Sequence, residues 1–386
     1  MSDAALTVPA EAAAFVRGGG RDVDTSRLEL AAAAGARVTL LDPGGDALGL
    51  ALHDPDNQRL RVLATPADGF PRLDGALLGW RVERALAWRT RLGLPGPDQA
   101  FRLLHAAGDG VPGFTCDVLG RWAVLHAYAP ALVPVARQLA DAVRGFARLD
   151  GVVIKTRTRG GASDVAHEVV GQAPPERHVV REGELALEVH ATGGLNVGLF
   201  TDMREHRLDL ARHAPGRTVL NLFSYTGALS LACARAGAAT VTSVDTSAGV
   251  QAWAEGNFAR NGLGGGGRWR FEAGDAVRFL ARAAKARERY DLVLIDPPTF
   301  STARGKAWAL DRDYPALIEQ AAAVIPDGGL LWLAANTHEL GSLVRLAQRG
   351  LRGRGAVIAQ GGLPADYPTL PAQPRDRYLQ VVALRL

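Results

Sequence analysis

The sequence predicts an α/β protein whose C-terminal half is a parallel sheet covered by helices on both faces. From about residue 185, the apolar runs TVLNLF, TVTSVD, YDLVLID and GLLWLAA alternate with helical stretches of 10–18 residues. Strands that are apolar throughout are typical of a sheet buried on both faces. Such sheets bind ligands beyond the carboxyl ends of their strands. We therefore expect the functional site just after these runs.

The N-terminal part follows a different pattern. Residues 36–65 read as three short strands, with turns at Asp-Pro-Gly-Gly (42–45) and Asp-Pro-Asp-Asn (54–57), which predicts a small β-barrel. Residues 78–92 have apolar positions at helical spacing, with four interleaved arginines: Arg81, Arg84, Arg89 and Arg91. These arginines are either a solvated helix face or a stripe that faces RNA.

A compact α/β unit is expected next. Residues 108–129 predict a strand pair that turns at Leu119-Gly120-Arg121, and a helix, a strand at 151–155 and a loop rich in Arg and Gly at 156–163 follow. We therefore predict three domains: a barrel over 1–75, a middle α/β domain over 76–184 and the parallel-sheet domain over 185–386.

Composition indicates a cytoplasmic protein. Hydrophobic residues are 47% and charged residues 22% of the chain. No stretch approaches the ~20 apolar residues that span a bilayer, and the N-terminus lacks the pattern of a signal peptide. The two cysteines predict neither a disulfide framework nor a metal site.

Positive charge is spread unevenly along the chain. Residues 1–75 carry seven Arg and eleven Asp or Glu, a charge of −4. Because the whole chain has a net charge of +4, the remaining residues carry +8. That excess suits a polyanionic partner.

The turn after the first strand of the parallel sheet points to a nucleoside-containing cofactor. The strand ends at Leu222 and turns through Phe223, Ser224, Tyr225 and Thr226 to Gly227. The next strand ends in Asp245, where a carboxylate can accept both ribose hydroxyls. Only Gly227 remains of the G-x-G-x-x-G pattern for pyrophosphate, and no G-x-x-x-x-G-K-[ST] pattern occurs. S-adenosylmethionine has no phosphate, so we predict this cofactor rather than NAD or a nucleoside triphosphate.

Two further strand ends carry acids. Asp275 follows the next strand and either accepts from the adenine amino group or caps a helix. In YDLVLIDPPTF, Asp296 ends the fourth strand, and Pro297 and Pro298 fix an extended turn. We expect Asp296 to face the cofactor's methyl group and Phe300 to stack on an extruded base, unless this is an ordinary turn. Four residues just beyond either contact an RNA backbone or solubilise the surface: Arg304, Lys306, Arg312 and Tyr314.

These motifs resemble a known family, the large-subunit ribosomal RNA methyltransferases built from a PUA domain, a middle α/β domain and a C-terminal class I methyltransferase domain with a Rossmann-like fold. The stretches that carry the resemblance are DGVPGFTCDVLGRW, NVGLFTDMREHR, VLNLFSYTGALSLACARAGAATVTSVDTS and IDPPTFS. The similarity covers about residues 36–386 and is strongest from 193 to 301.

The resemblance implies a role for each site residue. Phe200, Asp202 and Arg204 line the methionine end of the cofactor. Phe223, Ser224 and Tyr225 follow the first strand, Asp245 and Asp275 hold the ribose and the adenine, and Asp296 is the acid of the catalytic loop. The chain departs from the family at the N-terminus, where the basic run before the PUA barrel is missing.

A second departure concerns the reaction. The cytosine-C5 branch of the family uses a Cys after the fifth strand, because a thiolate must add to C6 before C5 reacts. Here that place is Asn336 in GGLLWLAANTHEL, Cys233 lies inside the first helix of the sheet domain, and Cys116 lies in another domain. Asn336 resembles the guanine-N7 branch, in which positioning suffices. His338 could serve as a proton acceptor.

We therefore expect a methyltransferase that acts on a base in structured RNA, namely 23S rRNA or a large-subunit assembly intermediate, as a monomer or homodimer without a membrane partner. Guanine N7 is the expected target. Cytosine C5, an assembly factor with a residual cofactor pocket and a small-molecule methyltransferase are the alternatives.

Overall fold

The computed structural model describes residues 4–28, 30–157, 167–194, 196–298, 302–303, 306–307, 309–337 and 341–386. The chain forms two compact units. The first comprises Met1–Gly183, Val189–Val197 and Ala365–Pro374, and the second comprises Glu184–Glu188, Gly198–Pro364 and Arg375–Leu386.

The first unit begins with a five-stranded sheet in the order β1-β3-β4-β5-β2. Its elements are β1 Ala4–Thr7, α1 Ala10–Arg17, β2 Asp22–Asp24, β3 Arg37–Leu41, β4 Ala47–Asp54 and β5 Arg59–Ala64. The three strands that the sequence predicts over 36–65 are thus confirmed as β3, β4 and β5. Alternate residues such as Val38 and Leu40 are buried, and the side chains of this face pack with Val16 of α1 into a core.

A second sheet of the first unit has the order β10-β9-β8-β7-β6. Its elements are α2 Gly75–Arg91, β6 Ala100–His105, β7 Phe114–Leu119, β8 Trp122–Ala127, α3 Val133–Phe146, β9 Gly151–Thr156 and β10 His167–Gly171, with β11 at His178–Glu182. The predicted strand pair is confirmed as β7 and β8. The predicted helix is α2, which begins after Asp74, whose carboxylate accepts from the amides of Ala76 and Leu77.

The interleaved arginines of α2 do not form one stripe. Arg84 and Arg91 are exposed, whereas Arg81 and Arg89 are buried. The Arg89 guanidinium donates to both carboxylate oxygens of Asp109, at 2.6 and 2.7 Å, and to the carbonyl of Asp366. The four arginines therefore do not form one continuous face. The expectation of a solvated or RNA-facing position was wrong for Arg89, because helical spacing does not show that a cation finds a buried carboxylate.

The second unit is built on a seven-stranded sheet in the order β15-β14-β13-β16-β19-β21-β20. The strands of this sheet are β13 Thr218–Leu222, β14 Thr240–Asp245, β15 Trp269–Ala273, β16 Leu292–Ile295, β19 Leu330–Asn336, β20 Ala356–Gly361 and β21 Leu379–Arg385. The unit also contains β12 Leu185–Val189 and a separate strand pair, β17 Thr302–Ala303 and β18 Lys306–Ala307. Its helices are α4 Arg204–His213, α5 Ala228–Arg235, α6 Ala248–Arg260, α7 Ala276–Lys285, α8 Leu310–Ala322 and α9 Leu343–Leu351.

The five strands from β15 to β19 in this order are parallel, as the sequence predicts. The last two strands at one edge of this sheet do not follow the expected parallel arrangement. β21 is antiparallel to β19, and β20 is antiparallel to β21. A parallel neighbour needs a crossover connection, usually a helix, and the segment between β20 and β21 contains only one short 3₁₀ turn. In the described part of the chain, no helix has the length and apolar character needed to cross a membrane.

The buried pair of Arg89 and Asp109 gives the first testable prediction. Arg89→Leu leaves the Asp109 carboxylate in the core without its guanidinium, and we expect a loss of about 3–5 kcal/mol in the free energy of unfolding. Arg91→Leu, an exposed cation on the same helix, is the matched control and should change stability by less than about 0.5 kcal/mol. Equal denaturation midpoints for the two variants would contradict the assignment.

Candidate functional site

The loop between β13 and α5 adopts an unusual backbone. Phe223 and Tyr225 have φ of 60° and 47°, in the left-handed region that side chains other than glycine rarely adopt. Gly227 has φ 77°, and a Cβ on it would lie 2.9 Å from the Cβ of Ala254. Because such strain persists only where surrounding contacts hold it, it marks this loop as a candidate ligand cradle.

Asp245 fixes this loop from the neighbouring strand. It ends β14, which runs parallel to β13, and its Oδ2 accepts a hydrogen bond from the amide of Tyr225 at 3.0 Å. Its Oδ1 accepts from the amide of Ser247 at 3.2 Å. The carboxylate predicted for the ribose therefore lies against the predicted loop.

Buried polar groups beneath the loop hold its other residues. Gln251 donates to the Ser224 hydroxyl at 2.9 Å, and Asn257 donates to the Thr226 carbonyl at 3.0 Å. The Thr226 hydroxyl donates to the carbonyl of Gly198 at 2.6 Å. Sequence reasoning missed Gln251 and Asn257. A sequence pattern could have identified them: both lie at the helical spacing of the buried face of α6, where apolar residues are expected, and both carry amides instead.

Aromatic rings border the loop. The Phe200 and Tyr225 rings lie 5.2 Å apart, and the Tyr225 and Trp253 rings 6.4 Å apart. Phe200 is 41% exposed, and its carbonyl accepts from the Arg207 guanidinium at 2.9 Å. Burial, together with the charge of Asp245, raises the pKa of Tyr225 to about 12. Tyr225 is therefore a neutral ring, suited to packing against a ligand.

Asp296 and Asp202 are electrostatically coupled. Burial, and secondarily the negative charge of Asp202, raises the pKa of Asp296 from 3.8 to about 7. The Tyr378 hydroxyl donates to Asp202 Oδ2 at 3.0 Å. Sequence reasoning missed Tyr378, for which the sequence offers no motif. A positive charge beside Asp296 would favour its ionised form.

Most of the remaining predicted residues follow the carboxyl ends of strands in the sheet. Ile295 pairs with Leu333, so Asn336, the exposed last residue of β19, lies two residues beyond the level of Asp296. Pro297 is buried and Pro298 is exposed. Arg204 is buried at the start of α4. Asp275 is exposed, and one of its carboxylate oxygens caps α7 by accepting from the Arg278 amide at 2.9 Å. The helix-capping role, one of the two predicted for Asp275, is therefore confirmed.

Some predictions fall outside the described residues, namely those for Phe300, Arg304 and His338. Arg312 is exposed and pairs with Asp313. The prediction for Tyr314 was wrong: it is fully buried, with its hydroxyl 3.0 Å from the Ile295 carbonyl and 2.8 Å from the Ala334 carbonyl. It therefore links the ends of β16 and β19 instead of facing solvent.

Neither cysteine is exposed. Cys233 lies in α5 and Cys116 in β7, both at 0% exposure. Burial raises the pKa of Cys233 to about 12 and raises the pKa of Cys116 further. Both thiols are therefore protonated at neutral pH.

The parallel sheet, the strained loop and the acid at the end of the neighbouring strand define a Rossmann-like enzyme with a site for a nucleoside-containing cofactor. Residues 131–352 match the family described as S-adenosylmethionine-dependent methyltransferase. This match spans more than half of the chain, and the chain belongs to this family. It is an S-adenosylmethionine-dependent methyltransferase.

Known proteins of similar sequence carry related descriptions. A ribosomal RNA large subunit methyltransferase of Deinococcus radiodurans is 33% identical over 74% of this chain and 72% of its own length. Ribosomal RNA large subunit methyltransferase I of Klebsiella pneumoniae is 27% identical over 94% of this chain and 92% of its own. The crystal structure of SMU.776, described as a methyltransferase and complexed with SAH, has a TM-score of 0.88 at 25% identity and covers 99% of this chain and 100% of its own.

The residues present fit the cofactor. S-adenosylmethionine carries a positively charged sulfonium and an ammonium group, and the acidic side chains of Asp202 and Asp296 have the chemistry that would hold such cations. The carboxylate of Asp245 keeps acceptor capacity for hydroxyls beyond its two amide contacts. When bound, the cofactor supplies an electrophilic methyl group.

The loop backbone gives a second testable prediction. Gly227→Ala forces a side chain into a left-handed position and against Ala254, so we expect at least a tenfold loss of S-adenosylmethionine affinity in titration calorimetry. Gly237→Ala is the matched control, because Gly237 has φ 96° but nothing within 4 Å of the added Cβ. Both variants should lose about 1–2 kcal/mol of stability from backbone strain. An unchanged affinity for Gly227→Ala would refute the cradle.

Asp296 gives a prediction on pH dependence. Its pKa in the folded protein lies above that in the unfolded chain, so its ionisation opposes folding, and its contribution to stability is lost as pH rises from about 4 through about 7. Asp296→Asn does not titrate. We expect the stability of this variant relative to the wild type to increase over that range, as measured by urea unfolding at several pH values without cofactor. A difference that stays constant with pH would rule out the raised pKa.

Proposed function

We propose that this methyltransferase modifies a base in large-subunit rRNA, 23S rRNA first, and that its target is N7 of guanine. The observation that carries the choice of base atom is Asn336, which lies at the carboxyl end of β19. The family resemblance implies that the cytosine-C5 branch has its Cys at this place. The descriptions of the Deinococcus and Klebsiella relatives support an rRNA substrate.

Guanine N7 needs no covalent enzyme intermediate. Its ring lone pair forms the new N–C bond to the methyl carbon while the C–S bond breaks, and its electron pair stays on sulfur. The positive charge thereby moves from sulfur to the base, and no proton is transferred. The protein has to position the base in line and exclude water, tasks that contribute to rate through orientation.

Asp296 and Asn336 are the positioning groups in this proposal. An ionised Asp296 accepts hydrogen bonds from the amino group of the base, and the Asn336 amide bonds the purine edge. Tyr314 supports both, since its hydroxyl lies between the carbonyls of Ile295 and Ala334. The buried, protonated thiols of Cys233 and Cys116 disfavour the cytosine-C5 reaction, which requires a thiolate.

We also propose the domain assignment: a PUA-like barrel over 1–75, a middle α/β domain over 76–184 and the methyltransferase domain over 185–386. The β1–β5 sheet supports the barrel. The acidic balance of 1–75 favours a structural role for it over RNA binding. We also propose that the protein acts in the cytoplasm and that it works as a monomer or a homodimer.

The test incubates the protein with labelled S-adenosylmethionine and either unmodified 23S rRNA or large-subunit particles, and identifies the labelled nucleoside by mass spectrometry. We expect N7-methylguanosine. Asn336→Ala should lower kcat/KM by about 10–100-fold, a loss of positioning of about 1.4–2.7 kcal/mol, at unchanged cofactor affinity. Cys233→Ala, in which no proposed contact is lost, is the control.

Other outcomes discriminate between the alternatives. C5-methylcytidine whose formation depends on Cys233 would overturn the guanine-N7 assignment. No labelled product from rRNA or particles, despite measured cofactor binding, would overturn the rRNA substrate.

A further inference from the structure

The first unit contains a pocket of about 320 Å³ that none of the roles above uses. One face of α2 and the turn at 106–110 form two of its walls, and the segment 365–374 contributes a third. We call it the α2 pocket, and its main lining residues are Arg21, Arg81, Arg84, Trp88, Gly108 and Pro368. Its size is at the lower end of the range of small-ligand sites, about 300–1,000 Å³.

The pocket has an excess of positive charge. Arg81 and Arg21 share one carboxylate, Asp68, at 2.7 and 3.4 Å. Asp109, also in the lining, is already engaged by both terminal nitrogens of Arg89. The lining guanidinium groups therefore outnumber the carboxylates available to them, which favours an anionic ligand.

Arg84 and Arg81 strengthen this argument. Arg84 is exposed and forms no ion pair with any described residue, and its guanidinium lies 4.8 Å from the centre of the Trp80 ring, which orients it. Arg81 is 7% exposed, and its buried Nε has no acceptor among the described residues. Burial and the charge of Arg21 lower the pKa of Arg81. Unlike Arg89, these two cations are not fully explained by internal pairing.

An aromatic ring stands beside the cations. Trp88 lies one helical turn after Arg84 on the same side of α2, and it is 42% exposed. Its indole N–H donates to the Ala365 carbonyl at 2.9 Å, which fixes the ring. Fixed, exposed aromatic rings beside guanidinium groups are how proteins hold single-stranded nucleotides, through base stacking and phosphate contacts.

We propose that the α2 pocket binds one unpaired nucleotide of the RNA substrate, with its phosphate on Arg84 and Arg81 and its base on Trp88. That the nucleotide belongs to RNA rests on the proposed function, whereas that the ligand is a nucleotide rests on the residues of the pocket. The site lies outside the methyltransferase sheet. It therefore contributes to RNA affinity and register, and it leaves cofactor binding unchanged.

The test compares Arg84→Gln with Arg91→Gln, which removes the same charge from an exposed position on the same helix outside the pocket lining. Affinity for a single-stranded oligonucleotide of 23S sequence is measured by fluorescence anisotropy at several salt concentrations. We expect Arg84→Gln to weaken binding by about tenfold and to reduce the salt slope by about 1, while Arg91→Gln changes affinity by less than about twofold. Equal effects of the two variants would overturn the proposal.

Two further variants test the ring. Trp88→Leu should weaken binding by about tenfold, within the range known for base–aromatic stacking, and Trp88→Phe should restore most of it. S-adenosylmethionine affinity, measured in parallel, should be unchanged in all four variants and thereby reports correct folding. Wild-type affinity in Trp88→Leu would overturn the stacking role and with it the proposal.

Titration calorimetry with adenosine monophosphate and with inorganic phosphate separates the sources of the ligand. Mononucleotide binding that depends on Arg84 and Trp88, without any effect of these variants on RNA affinity, would overturn the RNA source and assign the site to a free nucleotide. Binding of inorganic phosphate alone would overturn the nucleotide. If RNA binding depends on Arg84 and Trp88 but no methylated nucleoside forms, the proposed function fails and the α2 pocket stands.

Discussion

Asp245 accepts a hydrogen bond from the amide of Tyr225, and this contact between two neighbouring strand ends holds the loop on which the candidate site depends. Phe223 and Tyr225 occupy the left-handed region at a cost of about 1–3 kcal/mol each. Surrounding contacts must offset that cost. Asp245 does so from β14, while Gln251 and Asn257 do so from α6. The position of the Tyr225 ring against Phe200 follows from these contacts, so the cradle is set by the sheet before any ligand binds.

The same contacts show that capping and ligand binding do not exclude each other. Each carboxylate has two oxygens with about four acceptor sites, and Asp245 uses one amide per oxygen. Asp275 likewise engages one oxygen with the Arg278 amide. A backbone contact fixes the direction of the side chain, which is what a ribose or adenine site requires. An acid at a strand end can therefore cap a helix and still accept from a ligand.

Much of the fold could be predicted because it depends on local pattern. Apolar runs and turn residues located β3–β5, β7–β8 and the parallel strands, and the spacing from the turn to Asp245 located the cradle. Burial of Arg89 and Tyr314 could not be predicted, because it depends on a carboxylate and two carbonyls that only the tertiary structure supplies. The coupling of Asp202 to Asp296 was equally hidden, since the resemblance named both residues but gave no distance or charge.

That coupling links the charge of a ligand to the chemistry of the site. Burial of Asp296 and, secondarily, the negative charge of Asp202 favour a proton on Asp296 near neutral pH. A cation held beside them stabilises the ionised form and lowers the pKa of Asp296, and by reciprocity a proton on Asp296 weakens the hold on that cation. The sulfonium cofactor of this family is such a cation. In the proposed function, an ionised Asp296 is also the form that accepts hydrogen bonds from the amino group of the base, so a cation beside Asp296 would favour the form that recognises the base.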